Sequence, residues 1–339
     1  MIAHVSIVER LVRSVLAETR AAPVLTSLAI DPALATPTDA SCSRAALSMA
    51  LALCLFDDLL VRVPNGAAYV ADRVAEGGQL VFDHGAVRTV RFASGPTGAL
   101  PGGEDAFRRI LQPLGYAVAG LYPLPALRMT GRAYRHVDFP ETIPQYFVSE
   151  LHVDRFDADF GTVAQRVFGN SRDPLGEAAK ALLAVFATGE TAPLDLAVQA
   201  LPEILAAFDR QHELPALTDY DALLAQSAEA AWIATEGNAF NHATDRVEDV
   251  EALATAQKAL GRPMKDRVEV STSGRVRQTA FKADQVLRRF ATPGGEVERA
   301  VPGSFYEFIS RDVDADTGRL DLAFDSGNAT GIFQMTQAA

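Results

Sequence analysis

The sequence predicts an α+β fold in which a strand–helix–three-strand unit occurs twice, with helical segments before and between the two copies. Residues 79–92 are rich in Val, Phe and Thr with partial alternation, which is typical of a strand. A helical pattern and three further strand patterns follow it. The same order of elements returns after residue 236, and the region between the copies is dominated by Ala and Leu at helical spacing. A chain of this length could form two or three compact units or one duplicated core with insertions, and these observations favour the duplicated β core.

The individual elements follow from periodicity and turn residues. Val5, Val8, Leu11 and Val12 form one apolar stripe, which predicts an opening helix. Proline residues break the helical pattern of the central region. The predicted parts are an N-terminal helical segment (1–75), a first βαβββ unit (76–155), a helical insert (156–235), a second βαβββ unit (236–311) and a C-terminal tail (312–339).

Within the units, the first copy has predicted strands at 79–92, 116–121, 127–133 and 145–153 and a helix at 104–114. The second copy has a short mixed stretch at 238–247, a helix at 249–260 and predicted strands at 268–271, 277–281 and 304–310. Gly294 and Gly295 after Pro293 predict a turn.

Composition restricts the class of protein. The chain has 339 residues, 48% of them hydrophobic and 22% charged, which is enough for a sizeable core and speaks against disorder. A net charge of -12 would repel the phosphates of nucleic acids and anionic lipid. The segment from Met1 to Arg20 carries charges throughout its apolar pattern, and no apolar stretch is long enough to span a bilayer. We therefore expect a cytoplasmic enzyme or binding protein with no nucleic-acid or membrane partner.

Two pairs of residues support the internal repeat. The separation in sequence between His84 and Glu150 is almost the same as that between His242 and Glu307. Each histidine has an arginine four residues later, Arg88 in the first copy, and each glutamate lies in an aromatic strand pattern. The spacing predicts that the two histidines and at least one glutamate occupy corresponding strands of the two units.

Histidine and carboxylate side chains on paired strands are suited to a transition metal. Two imidazoles and one carboxylate leave positions open for substrate and oxygen, as non-haem Fe(II) oxygenases require. By the internal symmetry, Glu150 is either a fourth ligand or a residue that only anchors a loop. Arg88 lies on the same strand face as His84, and its planar guanidinium suits a carboxylate; the alternative is a salt bridge at the surface.

The other histidines have simpler interpretations. His4 and His212 lie at predicted helix ends or in polar context, and His136 lies among cations, so all three are expected at the surface. His152 follows Glu150 by two residues, which places both side chains on one strand face and makes His152 a candidate for supporting the site.

The chain resembles the shorter members of the 2-oxoadipate dioxygenase/decarboxylase family, also called 2-hydroxyglutarate synthases. The resemblance runs from about residue 79 to the end of the chain. It rests on the segments FDHGAVRT, IPQYFVSELHVD, GNAFNHAT, VRQTAFKAD, FYEFISRD and ATGIFQMT.

This resemblance implies a vicinal-oxygen-chelate-like fold of paired βαβββ units. It also implies one Fe(II) ion held by His84, His242 and Glu307, with Arg88 gripping the substrate and Gln278 hydrogen-bonding it or a ligand. The implied reaction consumes a 2-oxo dicarboxylic acid such as 2-oxoadipate together with O2. Its products are CO2 and a 2-hydroxy acid one carbon shorter.

Two alternatives follow from the same residues. If Glu150 also binds the metal, four ligands would suit a glyoxalase I-like lyase or isomerase with Zn or Ni. A metal-free protein that binds a small acid is the third possibility. Zn, Ni or Co can also replace iron in an oxygenase site, because divalent metals compete for such ligands in the Irving–Williams order.

Overall fold

An eight-stranded sheet and the helices around it form the fold, which is α+β as the sequence predicts. The computed structural model describes residues 5–34 and 40–325. The sheet curls into a half barrel. One of its faces packs against the N-terminal helices and the other carries the polar residues discussed below.

The first βαβββ unit contains the elements β2 (Phe82–Arg91), α5 (Asp105–Leu111), β3 (Tyr116–Leu124), β4 (Met129–His136) and β5 (Gln145–His152). All four strands and the helix lie where the sequence predicts them. The prediction misplaced only their ends, by a few residues, as helix and strand ends are the least determined by local sequence.

The second unit contains β7 (His242–Arg246), α11 (Val250–Ala259), β8 (Glu269–Val270), β9 (Val276–Ala280) and β12 (Phe305–Arg311). The mixed stretch before α11 is therefore a strand. A hairpin that the sequence analysis did not identify, β10 (Gln285–Thr292) and β11 (Gly295–Pro302), interrupts the unit and forms its own two-stranded sheet. Its turn contains Gly294 and Gly295, as predicted.

The strand order of the main sheet is β3-β4-β5-β2-β7-β12-β9-β8, which reads the same from both ends when the two units are exchanged. The first strands of the units, β2 and β7, pair antiparallel at the centre. Each of them also pairs in parallel with the last strand of its own unit. This arrangement has the pseudo-twofold symmetry expected of paired units, and it places the first strands of both units side by side.

In the described part of the chain before the first unit there are four helices: α1 (Ile7–Val15), α2 (Glu18–Ser27), α3 (Arg44–Arg62) and α4 (Pro64–Ala75). The hydroxyl of Ser43 caps α3 by accepting a hydrogen bond from Ala46 N at 3.2 Å. Most of α3 is buried on all sides, and its Phe56 ring packs 5.1 Å from Phe82 and 6.0 Å from Tyr306 in the sheet. Burying an aromatic side chain of this size contributes about 1.5–3 kcal/mol.

The segment between the units is helical, as predicted. It contains α6 (Ala158–Phe168), α7 (Glu177–Ala187), α8 (Leu194–Ala206), α9 (Leu217–Leu224) and α10 (Ala228–Glu236), with β1 (Ser41–Cys42) pairing to β6 (Ala192–Pro193). The remaining strands, β13 (Val313–Asp314) and β14 (Arg319–Leu320), form a small hairpin after β12.

None of the described helices combines the length and the apolar character that crossing a membrane requires.

Candidate metal centre

Three buried side chains converge where the two units meet. His84 on β2, His242 on β7 and Glu307 on β12 each offer a ligand atom, and these atoms lie within 4.8 Å of one another. The Nε2 atoms of His84 and His242 are 3.3 and 3.6 Å from Glu307 Oε2. The structure therefore brings together the three residues that the resemblance implies as ligands.

The residue before each histidine fixes the orientation of its ring. His84 Nδ1 lies 2.8 Å from Asp83 Oδ1, and His242 Nδ1 lies 3.1 Å from Asn241 Oδ1. Because both acceptors are oxygens, each Nδ1 donates a hydrogen bond and each Nε2 faces the cluster. A β-bulge in the pairing of β2 with β7 falls at Asp83, which lets its side chain turn towards its neighbour.

Asp83 is itself held in place by a buried ion pair with Arg311. The guanidinium of Arg311 donates two hydrogen bonds of 2.9 Å to the two Asp83 oxygens, and both side chains are almost fully buried. The opposite charges and the hydrogen bond from His84 outweigh burial and hold the pKa of Asp83 far below its usual range. The carboxylate is therefore ionised, and it favours the histidine tautomer described above.

Thr244 lies between two of the cluster residues. Its hydroxyl donates to Glu307 Oε2 at 2.6 Å and lies 3.1 Å from His84 Nε2. Burial alone would raise the pKa of Glu307, but His242, His84 and the Thr244 hydroxyl together lower it. The carboxylate is thus held as an anion.

The donor set fits a divalent transition metal. His242 Nε2 is buried and has no hydrogen-bond partner among the described residues, although it points at Glu307. A buried unpaired polar atom is costly, and burial lowers the pKa of His242 to about 3, so the ring stays neutral. Two imidazole nitrogens and one carboxylate oxygen are ligands that Fe(II), Zn(II) and related ions accept.

The two histidines of the cluster line a narrow pocket. Its apolar walls include Phe147 and Phe324, and the Phe324 ring lies 4.7 Å from His84. Its polar lining includes Arg88 and Gln278. Gln278 Nε2 is buried and has no hydrogen-bond partner in the part of the chain that the structure describes. Both predicted substrate contacts therefore line the pocket beside the histidines.

Arg88 is paired inside the protein. Its Nη1 lies 2.7 Å from Glu229 Oε2, and its guanidinium carbon lies 4.7 Å from the ring centre of Trp232. Arg88 and Glu229 are 1% and 2% exposed, so the alternative of a surface salt bridge is wrong. Burial lowers the pKa of Arg88 and raises that of Glu229 to about 7, while their attraction opposes both shifts. Neither Glu229 nor Trp232 was predicted from the sequence, because both lie on α10 of the helical insert.

Glu150 lies outside the cluster. Its carboxylate is 2.6 Å from Arg91 Nε, 3.5 Å from Arg132 Nη1 and 2.8 Å from the backbone nitrogen of Glu104. Its neighbour His152 lies 3.5 Å away on the same strand face, as expected, but that face is opposite to the one lining the pocket. Glu150 therefore anchors neighbouring segments, and His152 gives the site no direct contact.

The register of the strands shows that Glu150 does not correspond to Glu307. In the first unit Ala86, two residues after His84, pairs with Phe147. In the second unit Thr244, two residues after His242, pairs with Glu307. The structural counterpart of Glu307 is thus Phe147, and the aligned spacing in sequence was wrong by three residues.

Two other histidine predictions were also wrong. His136 is fully buried, and its Nδ1 accepts hydrogen bonds from the backbone nitrogens of Asp138 and Phe139 at 3.2 Å. His212 is buried against Phe168 and its Nε2 lies 2.9 Å from Ala234 O. Burial lowers the pKa of both to about 4. His4 lies outside the described residues.

Comparison with known proteins identifies the family. The sequence model described as 2-oxoadipate dioxygenase/decarboxylase matches residues 64–322. The chain belongs to this family. The 2-oxoadipate dioxygenase/decarboxylase match begins before residue 79, where the sequence resemblance was placed, and includes all three cluster residues. It ends before the last segment of that resemblance, ATGIFQMT, which also lies outside the described residues.

Relatives of this 2-oxoadipate dioxygenase/decarboxylase family member agree with the assignment. The chloroplastic 2-oxoadipate dioxygenase/decarboxylase of Arabidopsis thaliana is 24% identical, over 78% of this chain and 70% of the relative. A crystal structure described as a glyoxalase superfamily protein from Ralstonia eutropha JMP134 is 51% identical and has a TM-score of 0.89, covering 95% of this chain and 99% of that one.

A third relative shares the fold. The hydroxyglutarate synthase of Oryza sativa, whose crystal structure contains 2-oxoadipate, is 21% identical with a TM-score of 0.66. The alignment covers 89% of this chain and 97% of that chain. The paired-unit fold predicted from the sequence is thereby confirmed.

Proposed function

We propose that the protein is a non-haem Fe(II)-dependent dioxygenase and decarboxylase that acts on a 2-oxo dicarboxylic acid resembling 2-oxoadipate. One oxo acid and one O2 would give CO2 and a 2-hydroxy acid one carbon shorter, so that all atoms of both reactants appear in the products. The observation that carries the proposal is the buried cluster of His84, His242 and Glu307 at the base of a pocket that also contains an arginine. Membership of the 2-oxoadipate dioxygenase/decarboxylase family supports the reaction type.

Each part of the pocket has a role in this proposal. His84, His242 and Glu307 would hold the metal, and Asp83 and Asn241 keep the two rings oriented. When bound, Fe(II) supplies the open coordination positions and the electrons that oxygen chemistry needs.

The pocket wall would position the oxo acid. Arg88 would bind its far carboxylate, and Gln278 Nε2 would donate a hydrogen bond to one of its oxygens. Phe147 and Phe324, which line the pocket, would exclude water from the reacting end. The contribution of the chain is therefore mainly to bind and orient the acid in a dry site.

The ligand count favours oxygenase chemistry over the glyoxalase I-like alternative. Four protein ligands would suit a lyase, whereas three leave more of the metal open to reactants. At the position in the first unit that corresponds to Glu307, the structure has Phe147, which cannot bind a metal. The metal-free alternative predicts a purified protein without stoichiometric metal, and metal analysis distinguishes it.

The direct experiment is anaerobic reconstitution with Fe(II), followed by measurement of O2 uptake and CO2 release with a panel of 2-oxo acids. We expect uptake and release in equal amounts with dicarboxylic oxo acids and weaker turnover with monocarboxylic ones. Absence of stimulated O2 uptake with every acid would refute the oxygenase proposal.

Substitutions separate metal binding from substrate binding. His242→Ala is expected to lose bound metal, whereas Arg88→Ala should keep the metal and bind the oxo acid more weakly. Glu307→Gln and Glu150→Gln form a matched pair of buried glutamates, and we expect metal loss only in the first. Metal content per folded protein, measured by elemental analysis, tests this, and equal metal loss in Arg88→Ala and His242→Ala would contradict the assigned roles.

A further inference from the structure

The pocket arginine already has a carboxylate partner from its own chain. Arg88 Nη1 and Glu229 Oε2 lie 2.7 Å apart, and both side chains are almost completely buried. Among the described residues, no other charged group makes an ion pair with Glu229, and its Oε1 accepts no hydrogen bond. The two charges therefore balance each other in an enclosed, weakly polar environment.

A substrate carboxylate at Arg88 would meet this partner. Two carboxylates would then share one guanidinium, leaving an excess negative charge where water cannot screen it. An acid with an apolar far end would not have this conflict, because it brings no second charge. The side chain at position 229 therefore affects dicarboxylic and monocarboxylic acids differently.

We propose that Glu229, which contacts Arg88 but does not itself line the pocket, is a specificity-determining residue that holds the guanidinium of Arg88 in the free protein and sets how strongly a second carboxylate on the oxo acid is bound. This inference rests on the proposed function, because it takes 2-oxo acids as the ligands. Burial raises the pKa of Glu229 to about 7, which is consistent with a carboxylate that gives up its charge when another arrives.

The neighbouring tryptophan provides a readout that needs no turnover. Trp232 is the one tryptophan of the chain, and its ring lies beneath the Arg88 guanidinium at 4.7 Å. Trp232 lies three residues after Glu229 on α10, so both face the same side of the helix. A carboxylate that binds at Arg88 changes the charge directly above the indole, and the intrinsic fluorescence reports it.

The experiment titrates Zn(II)-reconstituted protein without O2, using 2-oxoadipate and 2-oxohexanoate, which differ by one carboxylate. Glu229→Gln keeps the shape of the side chain and removes its charge. We expect it to tighten 2-oxoadipate binding by at least about tenfold, since juxtaposed like charges cost more than the roughly 1.4 kcal/mol of a tenfold change. Binding of 2-oxohexanoate should stay within about twofold of the wild type.

Two further variants serve as a matched control and as a second test of position 229. Glu236→Gln is the matched control, because Glu236 lies on the same helix, is 5% exposed and pairs with Arg288 through two contacts of 2.7 Å away from the pocket lining. It should leave the affinity for both acids unchanged. Glu229→Asp shortens the side chain and weakens the ion pair, so a smaller shift in the same direction is expected, and it carries the test if Glu229→Gln does not fold.

The outcomes separate the two proposals. If wild-type protein binds both acids and the Glu229 variants change neither affinity, or change both equally, the inference is wrong while the proposed function stands. If neither acid binds to any form of the protein, the inference falls together with the proposed function. Selective tightening of 2-oxoadipate binding in the Glu229 variants alone supports the inference.

Discussion

Asp83 offers a strict test of how the protein orients its metal ligands. Asp83→Asn removes the charge that faces His84 Nδ1 at 2.8 Å and Arg311 at 2.9 Å. An asparagine has one oxygen where the aspartate uses two, so at least one of the three hydrogen bonds to the carboxylate is lost. His84 Nδ1 and Arg311 then compete for one neutral oxygen, so the tautomer that presents Nε2 to the metal is held less strongly than by the carboxylate.

Two magnitudes follow from these contacts. Loss of a residue that orients a metal ligand lowers metal affinity about 10–100-fold, or about 1.4–2.7 kcal/mol. Arg311 is also left as a buried charge without its partner, which costs about 3–5 kcal/mol of the free energy of unfolding. The variant should therefore bind metal more weakly and unfold at lower urea concentration.

The assay measures Zn(II) affinity by competition with a chromophoric chelator, and stability by urea unfolding of the metal-free protein. Asp138→Asn is the control, since Asp138 forms a similar two-contact pair with Arg44 on the surface, and its loss should leave Zn(II) affinity unchanged. In the double variant Asp83→Asn/Arg311→Met, part of the stability should return while Zn(II) affinity stays low. Wild-type Zn(II) affinity in the folded Asp83→Asn protein would refute the orienting role.

Two predictions concern stability elsewhere in the fold. Burial lowers the pKa of His212 from 6.5 to about 4, so between these values the unfolded chain binds a proton that the folded chain does not. The free energy of unfolding should thus fall as the pH drops from 6.5 to 4, by up to about 3 kcal/mol from this residue. His212→Gln, which can still donate to Ala234 O, should reduce that fall in urea titrations at several pH values, and an unchanged pH profile would contradict the assignment. Gly85→Ala places a methyl group 2.3 Å from Phe240 Cζ and should cost about 1–3 kcal/mol of unfolding free energy, whereas Gly294→Ala, with open space around it, should be nearly neutral; equal effects would argue against close packing at Gly85.

Much of the fold was predictable because its signals are local. The strands of both units carry Val, Ile and aromatic residues in short runs, and the insert has Ala and Leu at helical spacing. The repeated order of elements then restricted how the strands could pair. The β10–β11 hairpin was missed because its strands, Gln285–Thr292 and Gly295–Pro302, are largely exposed and carry little hydrophobic pattern.

The candidate site was predictable only in part. His84, His242 and Glu307 were found because each lies in a distinctive segment, and the acceptors Asp83 and Asn241 could have been found as the residue before each histidine. Their convergence depends on strand register, which sequence spacing does not give when loop lengths differ.

The misplacement of Glu150 illustrates this. Gln145 is the strand partner of His84, and Phe305 is the strand partner of His242. The chain between partners is slightly longer in the second unit, and Glu150 lies further beyond Gln145 than Glu307 lies beyond Phe305. Counting residues from the histidines therefore compared positions three apart in register. The role of Glu229 could not be predicted from the sequence for another reason. Its contact with Arg88 depends on how the helical insert packs against the sheet.

Glu307 and Phe147 occupy equivalent positions in the two units, and this difference has a wider consequence. The strands of the sheet follow the same order in both halves, yet one half supplies a carboxylate where the other supplies a benzene ring. The number of donor atoms is thus set by a single side chain at one position of this shared strand arrangement. Proteins built on such duplicated sheets can change the kind of reaction they support without rearranging a single strand.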